Sequence, residues 1–268
     1  MRIKVNSLWL NYELTGSGDC LTLIHGLAEN LKVWRNQIAT FAPHYQVLAW
    51  DVRGHGQSDI PEGDYTVELL AHDLYLLLQK LEIDSTFLLG FSMGGVVAQK
   101  FALDYPQKTR GLIILGSSSE CNAAAAAWYQ ERASLAEERG MEAVVEGDTE
   151  RCFTSAFKMN QPTIVAEYQR MRAQTDPRGY ARVARAMASL YQHPLTPELG
   201  RITCPTLILV GEEDIACPPG ASVIMHRRIP GSQLRIIKGW PHQVLIEAPQ
   251  ELNTAVLEFL AAVSQKRA

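Results

Sequence analysis

Six short runs of almost unbroken apolar residues divide the chain: Cys20–Ile24, Val47–Trp50, Thr86–Leu89, Leu112–Leu115, Thr206–Val210 and Leu234–Ile237. Each ends in turn-forming residues, such as His25–Gly26 after the first and Asp51–Gly56 after the second. A run of this length is too short for a buried helix. Because it lacks the alternation of a half-exposed strand, it reads as a strand covered on both faces. The stretches between these runs have a different period. Apolar residues at 67, 70, 74, 77, 78 and 81 follow helical spacing behind Thr66, a suitable N-cap, and further helices are expected at Met93–Tyr105 and Glu251–Ala262. Strands alternating with helices predict a parallel sheet with helices on both sides. Ile3–Asn6 and Leu8–Leu14 alternate instead and predict an opening hairpin.

The alternation stops at Ser117. From Glu120 to Pro197 only helical patterns occur, beginning with the alanine run 123–127, and the strand pattern resumes at Thr206. The expected organisation is a core built from residues 1–119 and 198–268, interrupted after its sixth strand by a helical segment over 120–197. With 47% hydrophobic and 20% charged residues, the chain can bury a core of this size. A net charge of −4 gives no electrostatic footprint for nucleic acid or an anionic membrane. No apolar run approaches the roughly 20 residues that span a bilayer, and the first residues lack the apolar block of a signal peptide. The five scattered cysteines have no CxxC spacing and the seven histidines no HExxH, so neither a disulfide framework nor a metal site is expected. These features predict a cytoplasmic protein without metal; a monomer or homodimer is expected.

Chemistry concentrates at Gly90–Phe–Ser–Met–Gly–Gly95, where the third buried run meets a helix. This is the pattern of a nucleophile elbow, in which a sharp strand-to-helix turn exposes a serine. A serine attacks only when a base takes its proton and a carboxylate orients that base. In an elbow fold the partners follow in the order acid, then histidine, past the ends of later strands. Asp214 follows the Thr206–Val210 run and His242 follows Leu234–Ile237, so both fall on the sheet edge where Ser92 would open. Glu212 and Glu213 are the rivals of Asp214. Two backbone N–H groups must meet the oxyanion: Met93, after the nucleophile, and Leu27, in the loop after the first buried run. His25 is expected to brace that loop.

The segments His25–Asn30, Asp51–Ser58, Gly90–Gly95, Gly211–Asp214 and Pro241–Pro249 occur in an order that resembles the α/β-hydrolase fold family. The resemblance implies an eight-stranded, mostly parallel sheet flanked by helices, a helical cap after strand 6, and a Ser–Asp–His hydrolase without cofactor. It also implies that Asp51, Arg53 and His55 are structural. The serine elbow sets the chain apart from the aspartate-using dehalogenases and epoxide hydrolases. The Ser-Met-Gly-Gly elbow resembles the 3-oxoadipate enol-lactonase and carboxylesterase group most, which implies a small or medium carboxylic ester or lactone as substrate. Carbon–carbon bond hydrolases, cofactor-free perhydrolases and hydrolase-fold ligand receptors remain alternatives. Inward stripes of the helical segment offer Trp128, Tyr129, Phe153, Phe157 and Met187 as an apolar lining, with Trp128, Phe157 and Met187 the candidate substrate-binding residues. Arg178, Arg182 and Arg185 lie opposite the stripe Tyr180, Val183, Met187 and Leu190, and read as a solvated face.

Overall fold

A computed structural model describes residues 1–265. Its strands are β1 (Arg2–Val5), β2 (Leu8–Thr15), β3 (Cys20–Ile24), β4 (Gln46–Trp50), β5 (Thr86–Phe91), β6 (Thr109–Leu115), β7 (Thr206–Gly211) and β8 (Gln233–Ile237). They form one eight-stranded sheet in the order β1-β2-β4-β3-β5-β6-β7-β8. The β1–β2 and β2–β4 pairs are antiparallel and every later pair is parallel. The opening hairpin and the six buried runs thus supply all eight strands, and the sheet is the mostly parallel one expected.

Period-2 alternation divides the central strands between two cores. Ile24, Leu88, Leu112, Ile114 and Ile208 face one side, packed with α2 (Val67–Lys80) and α3 (Met93–Asp104). Leu23, Leu89, Ile113, Leu115 and Leu209 face the other, packed with α1 (Arg35–Phe41) and the last helix (Pro249–Gln265). Thr22 and Thr86, fully buried in adjacent strands, satisfy each other's hydroxyls at 2.9 Å. β8 departs from the expectation of a strand covered on both faces. It is the sheet's edge, and Ile236 is 46% exposed. Apolar composition alone does not separate an edge strand from a central one.

Between β6 and β7 the chain forms α4 (Ala123–Arg139), α5 (Glu142–Thr149), α6 (Ser155–Asn160), α7 (Pro162–Ala173) and α8 (Pro177–Ala188). Asn122 caps α4 by accepting the Ala125 N–H at 2.9 Å, and Asp176 caps α8 ahead of Pro177. α4, α5 and α8 share a small core of Ala133, Ala136, Val144, Tyr180, Ala181 and Ala184, against which Ala28 of the β3 loop also packs. α8 is held against the loop after β4 by a contact that only glycine allows: a Cβ on Gly179 would stand 2.1 Å from the Gly54 carbonyl oxygen. Tyr180, Val183, Met187 and Leu190 are buried as expected. The arginines opposite are less uniform than a solvated face. Arg178 is exposed, Arg185 pairs with Glu137 at 2.6 Å, and Arg182 is largely covered. Arg182 lies over the Tyr65 ring and donates to Pro61 O and Glu62, so it clasps the core loop. The remaining helices are α9 (Pro219–Arg228), α10 (Val244–Glu247) and α11, the last helix already described. Among the described residues no helix is long and apolar enough to cross a membrane.

Candidate active site

Ser92 occupies the turn between β5 and α3 with φ 53° and ψ −119°, a conformation that side chains avoid. The turn is tied down from three sides. The Ser92 N–H donates to Leu115 O at 2.9 Å, while Ser92 O accepts from the Gly95 N–H at 2.9 Å and from Ser117 Oγ at 2.7 Å. The flanking glycines are demanded by close approach. A Cβ would lie 2.3 Å from Gly94 O at Gly90, 2.1 Å from Ile24 O at Gly94, and 2.5 Å from the Ser117 Cβ at Gly95. One serine stands among three glycines because β3, β5 and the segment after β6 converge there.

Of the two other expected catalytic residues, His242 meets Ser92 and Asp214 meets His242. His242 Nε2 lies 3.2 Å from Ser92 Oγ, and His242 Nδ1 lies 2.8 Å from Asp214 Oδ2. Asp214 is 2% exposed, and its Oδ1 accepts the N–H groups of Ala216 at 3.0 Å and Cys217 at 2.7 Å. These bonds orient the carboxylate, and it in turn fixes the imidazole. The rival acids Glu212 and Glu213 point to solvent and are exposed.

The loop after β3 is braced by two buried histidines. His25 Nε2 accepts the Val52 N–H at 3.0 Å, so its Nδ1 carries the proton and donates to Gly26 O at 2.8 Å. His55 Nε2 accepts the Ala28 N–H at 3.1 Å. Gly26 N–H donates to Glu29 Oε2 at 2.9 Å, and the Leu27 N–H between them has no acceptor among the described residues. Met93 opens α3, where its N–H has no intrahelical partner. Leu27 lines the cavity over Ser92, and Met93 lines a second that adjoins it.

Burial holds both bracing histidines neutral, lowering His25 to about 4 and His55 to about 3. Depressed histidines favour the folded chain fully above their unfolded value, near 6.5, and progressively less as pH falls toward 4 and 3. Each is expected to remove about 1.4 kcal/mol of stability per pH unit within that window. His55→Gln removes one titrating group, so its unfolding free energy should change less between pH 6.5 and 4.5 than that of the wild type, by roughly this amount per unit. Denaturant titrations of both proteins at the two pH values measure the difference. Parallel pH dependence would contradict a neutral His55.

A cavity of about 400 Å³ opens over Ser92, lined by Leu27, Phe91, Trp128, Tyr129, Ile215 and His242 among others. A smaller one of about 190 Å³ adjoins it through Ser92, Tyr129 and Cys217 and reaches Met93, Val96, Met187 and Leu190. Trp128 therefore lines the larger cavity and Met187 the smaller. Phe157 lines neither: it stacks on Phe153 at 5.3 Å, and Phe153 meets Tyr168 edge-on at 5.2 Å, all in the second core.

The larger cavity also has polar walls, including groups the sequence reading did not select. Glu29 is 1% exposed, and its Oε1 accepts from Tyr168 Oη and Gln243 Nε2, each at 2.8 Å. Burial raises its carboxyl above the usual range. Asp148 and Arg172 pair at 3.2 Å, both nearly covered. A signal for the last two was present, since each interrupts an apolar stripe. Asp148 follows Val144 and Val145 at helical spacing, and Arg172 follows Val165 and Tyr168. Among the described residues no group of three or more His, Cys, Asp or Glu is placed to hold a metal ion.

The family described as alpha/beta hydrolase fold matches residues 20–249. The 3-oxoadipate enol-lactonase 2 of Acinetobacter baylyi is 32% identical over 249 residues, covering 92% of this chain and 91% of the relative. The crystal structure of the enol-lactonase from Burkholderia xenovorans superposes with a TM-score of 0.92 at 27% identity, covering 97% of this chain and 100% of that one. A thermophilic esterase from Thermogutta terrifontis, solved with malate bound, gives 0.92 at 30% identity, covering 98% and 99%.

Proposed function

The chain belongs to the α/β-hydrolase fold family, and on that premise we propose that it is a serine hydrolase of small or medium carboxylic esters or lactones. The observation that carries this reading is the chain Ser92 Oγ, His242, Asp214, with links of 3.2 and 2.8 Å, at a strained elbow. In this mechanism His242 takes the proton of Ser92 as Oγ bonds to the substrate carbonyl carbon. The N–H groups of Leu27 and Met93 meet the oxygen that becomes negative. A donor so placed contributes about 2.7–4 kcal/mol to the transition state. The bond to the leaving oxygen breaks, and His242 returns the proton to that oxygen. Water then adds to the acyl-serine by the same steps in reverse, releasing the acid. Asp214 holds the imidazole with its proton on Nδ1 throughout.

Helices α4–α8 act as a cap in this reading, because Trp128, Tyr129 and Met187 come from them to the cavities over Ser92. Cavities of about 400 and 190 Å³ suit a compact ester rather than a long-chain lipid. The enol-lactonase and esterase relatives support the choice of bond. A screen of acyl esters, lactones and amides, run beside Ser92→Ala, tests it. Turnover of an ester or lactone by the wild type alone is expected. Binding without turnover across the screen would indicate a ligand receptor instead.

A further inference from the structure

Glu29 brings a buried carboxylate to the wall of the larger cavity, and the hydrolytic steps give it no part. Its two oxygens gather three segments of the chain. Oε2 accepts the Gly26 N–H at 2.9 Å, from the loop that carries Leu27. Oε1 accepts Gln243 Nε2 at 2.8 Å, from the residue after His242. It also accepts Tyr168 Oη at 2.8 Å, from α7 of the helical segment. Gln243 and Tyr168 are buried as well, where an unmade hydrogen bond is costly.

Between Gly26 and Glu29 every backbone N–H but one has an acceptor among the described residues. Gly26 donates to the Glu29 side chain, Ala28 to His55 Nε2 at 3.1 Å, and Glu29 to Gly26 O at 3.2 Å. The Leu27 N–H is left over, and it is the donor assigned above to the oxyanion. Ala28 turns the chain with φ 62°, a conformation that a residue with a side chain keeps only when its neighbours enforce it. Part of that enforcement comes from the helical segment, since Thr175 Oγ donates to Ala28 O at 3.1 Å. The segment therefore grips the loop twice, at Ala28 through Thr175 and at Gly26 through Tyr168 and Glu29. It grips the His242 loop twice as well: the Gln243 N–H donates to Cys152 O at 2.8 Å, and the Gln243 amide meets Tyr168 on Glu29.

We propose that Glu29 is a positioning residue that aligns the Leu27 N–H for the oxyanion and the His242 loop for proton transfer, and that it transmits to both the docking of the helical segment through Tyr168. The proposal rests on the serine-hydrolase reading and adds a residue to that same site. Displacing a group in the site by about 1 Å costs about 10²-fold in rate. The loss falls on kcat rather than KM, because the oxyanion exists only in the transition state. Glutamine is the informative replacement for Glu29. Its oxygen can keep the Gly26 N–H while its NH₂ turns to Tyr168 Oη, which then accepts. Gln243 satisfies the new amide by flipping its own, whose Oε1 now has no partner.

The test is kcat for para-nitrophenyl acetate, expressed per site titrated to completion with a serine-directed phosphonate, so that a misfolded fraction drops out. Glu29→Leu is expected to lower kcat by about 10²-fold with KM little changed. Glu29→Gln should recover most of that loss and stay within about 10-fold of the wild type. Tyr168→Phe should cost about 10-fold alone, and nothing further in the Glu29→Leu background, because both act through one chain of bonds. Trifluoroacetone supplies a second readout. Ser92 Oγ adds to its carbonyl carbon, His242 takes the hydroxyl proton, and the resulting oxyanion needs the same donors. Its affinity should fall across the variants in step with kcat/KM. If Glu29→Leu does not fold, Tyr168→Phe decides, with parallel loss of kcat and ketone affinity expected. Unchanged kcat per site in Glu29→Leu or in Tyr168→Phe, a loss confined to KM, no recovery in Glu29→Gln, or additive losses in the double variant overturns the positioning role alone. Absence of Ser92-dependent ester turnover by the wild type overturns the hydrolase reading and this role together.

Discussion

Ser92→Ala is expected to lower kcat for an ester substrate by about 10⁶-fold, the scale of loss when an activated serine is removed. Alanine keeps a Cβ and nothing more, so the strained φ of 53° and the three backbone ties of the turn persist while the attacking oxygen is lost. The thermal midpoint should therefore stay close to that of the wild type. A competing nucleophile stands nearby, since Cys217 lines both cavities beside Ser92. Burial and the neighbouring Asp214 push its thiol up, which keeps it protonated and poorly nucleophilic. Substantial activity in Ser92→Ala, lost on replacing Cys217, would transfer the role to the thiol.

Asp214→Asn is expected to cost about 10⁴-fold in kcat with little change in fold. The two oxygens of Asp214 accept only: Oδ1 from two backbone N–H groups and Oδ2 from the His242 ring. An asparagine must turn its oxygen to the backbone donors, which leaves its NH₂ facing His242 Nδ1. The imidazole then moves its proton to Nε2 and can no longer accept one from Ser92. Glu213→Gln changes an exposed side chain and should behave like the wild type. Loss of activity in Glu213→Gln with retention in Asp214→Asn would contradict the assignment.

How much of this could be read from the chain depended on how each part is encoded. The sheet was legible because strands covered on both faces leave contiguous apolar runs, as at Cys20–Ile24 and Thr206–Gly211. The meeting of Ser92, Asp214 and His242 was legible because each follows a strand, and parallel strands bring those ends to one edge. The cavity walls were less so. Trp128, Phe157 and Met187 all lie on apolar stripes, but such a stripe does not say whether a residue meets a cavity or another helix. Phe157 found Phe153, whereas Trp128 found the cavity. Asp148 and Arg172 come from different helices 24 positions apart, and only packing makes them a pair. Glu29 stood in the quoted loop His25–Asn30, yet its partners Tyr168 and Gln243 are distant in sequence. Long-range side-chain pairing leaves no periodic trace in a single sequence.

The most direct measurement is intact-mass and peptide mass spectrometry after reaction with a small serine-directed phosphonate. One adduct per chain, located on Ser92, is the expected result, with labelling abolished in Ser92→Ala and greatly slowed in His242→Ala. The phosphonate needs the same deprotonated oxygen and the same oxyanion donors as an ester, so it reports activation rather than mere exposure. Labelling of another residue with loss of activity, or labelling of Ser92 at an unchanged rate without His242, would contradict a serine activated by this histidine.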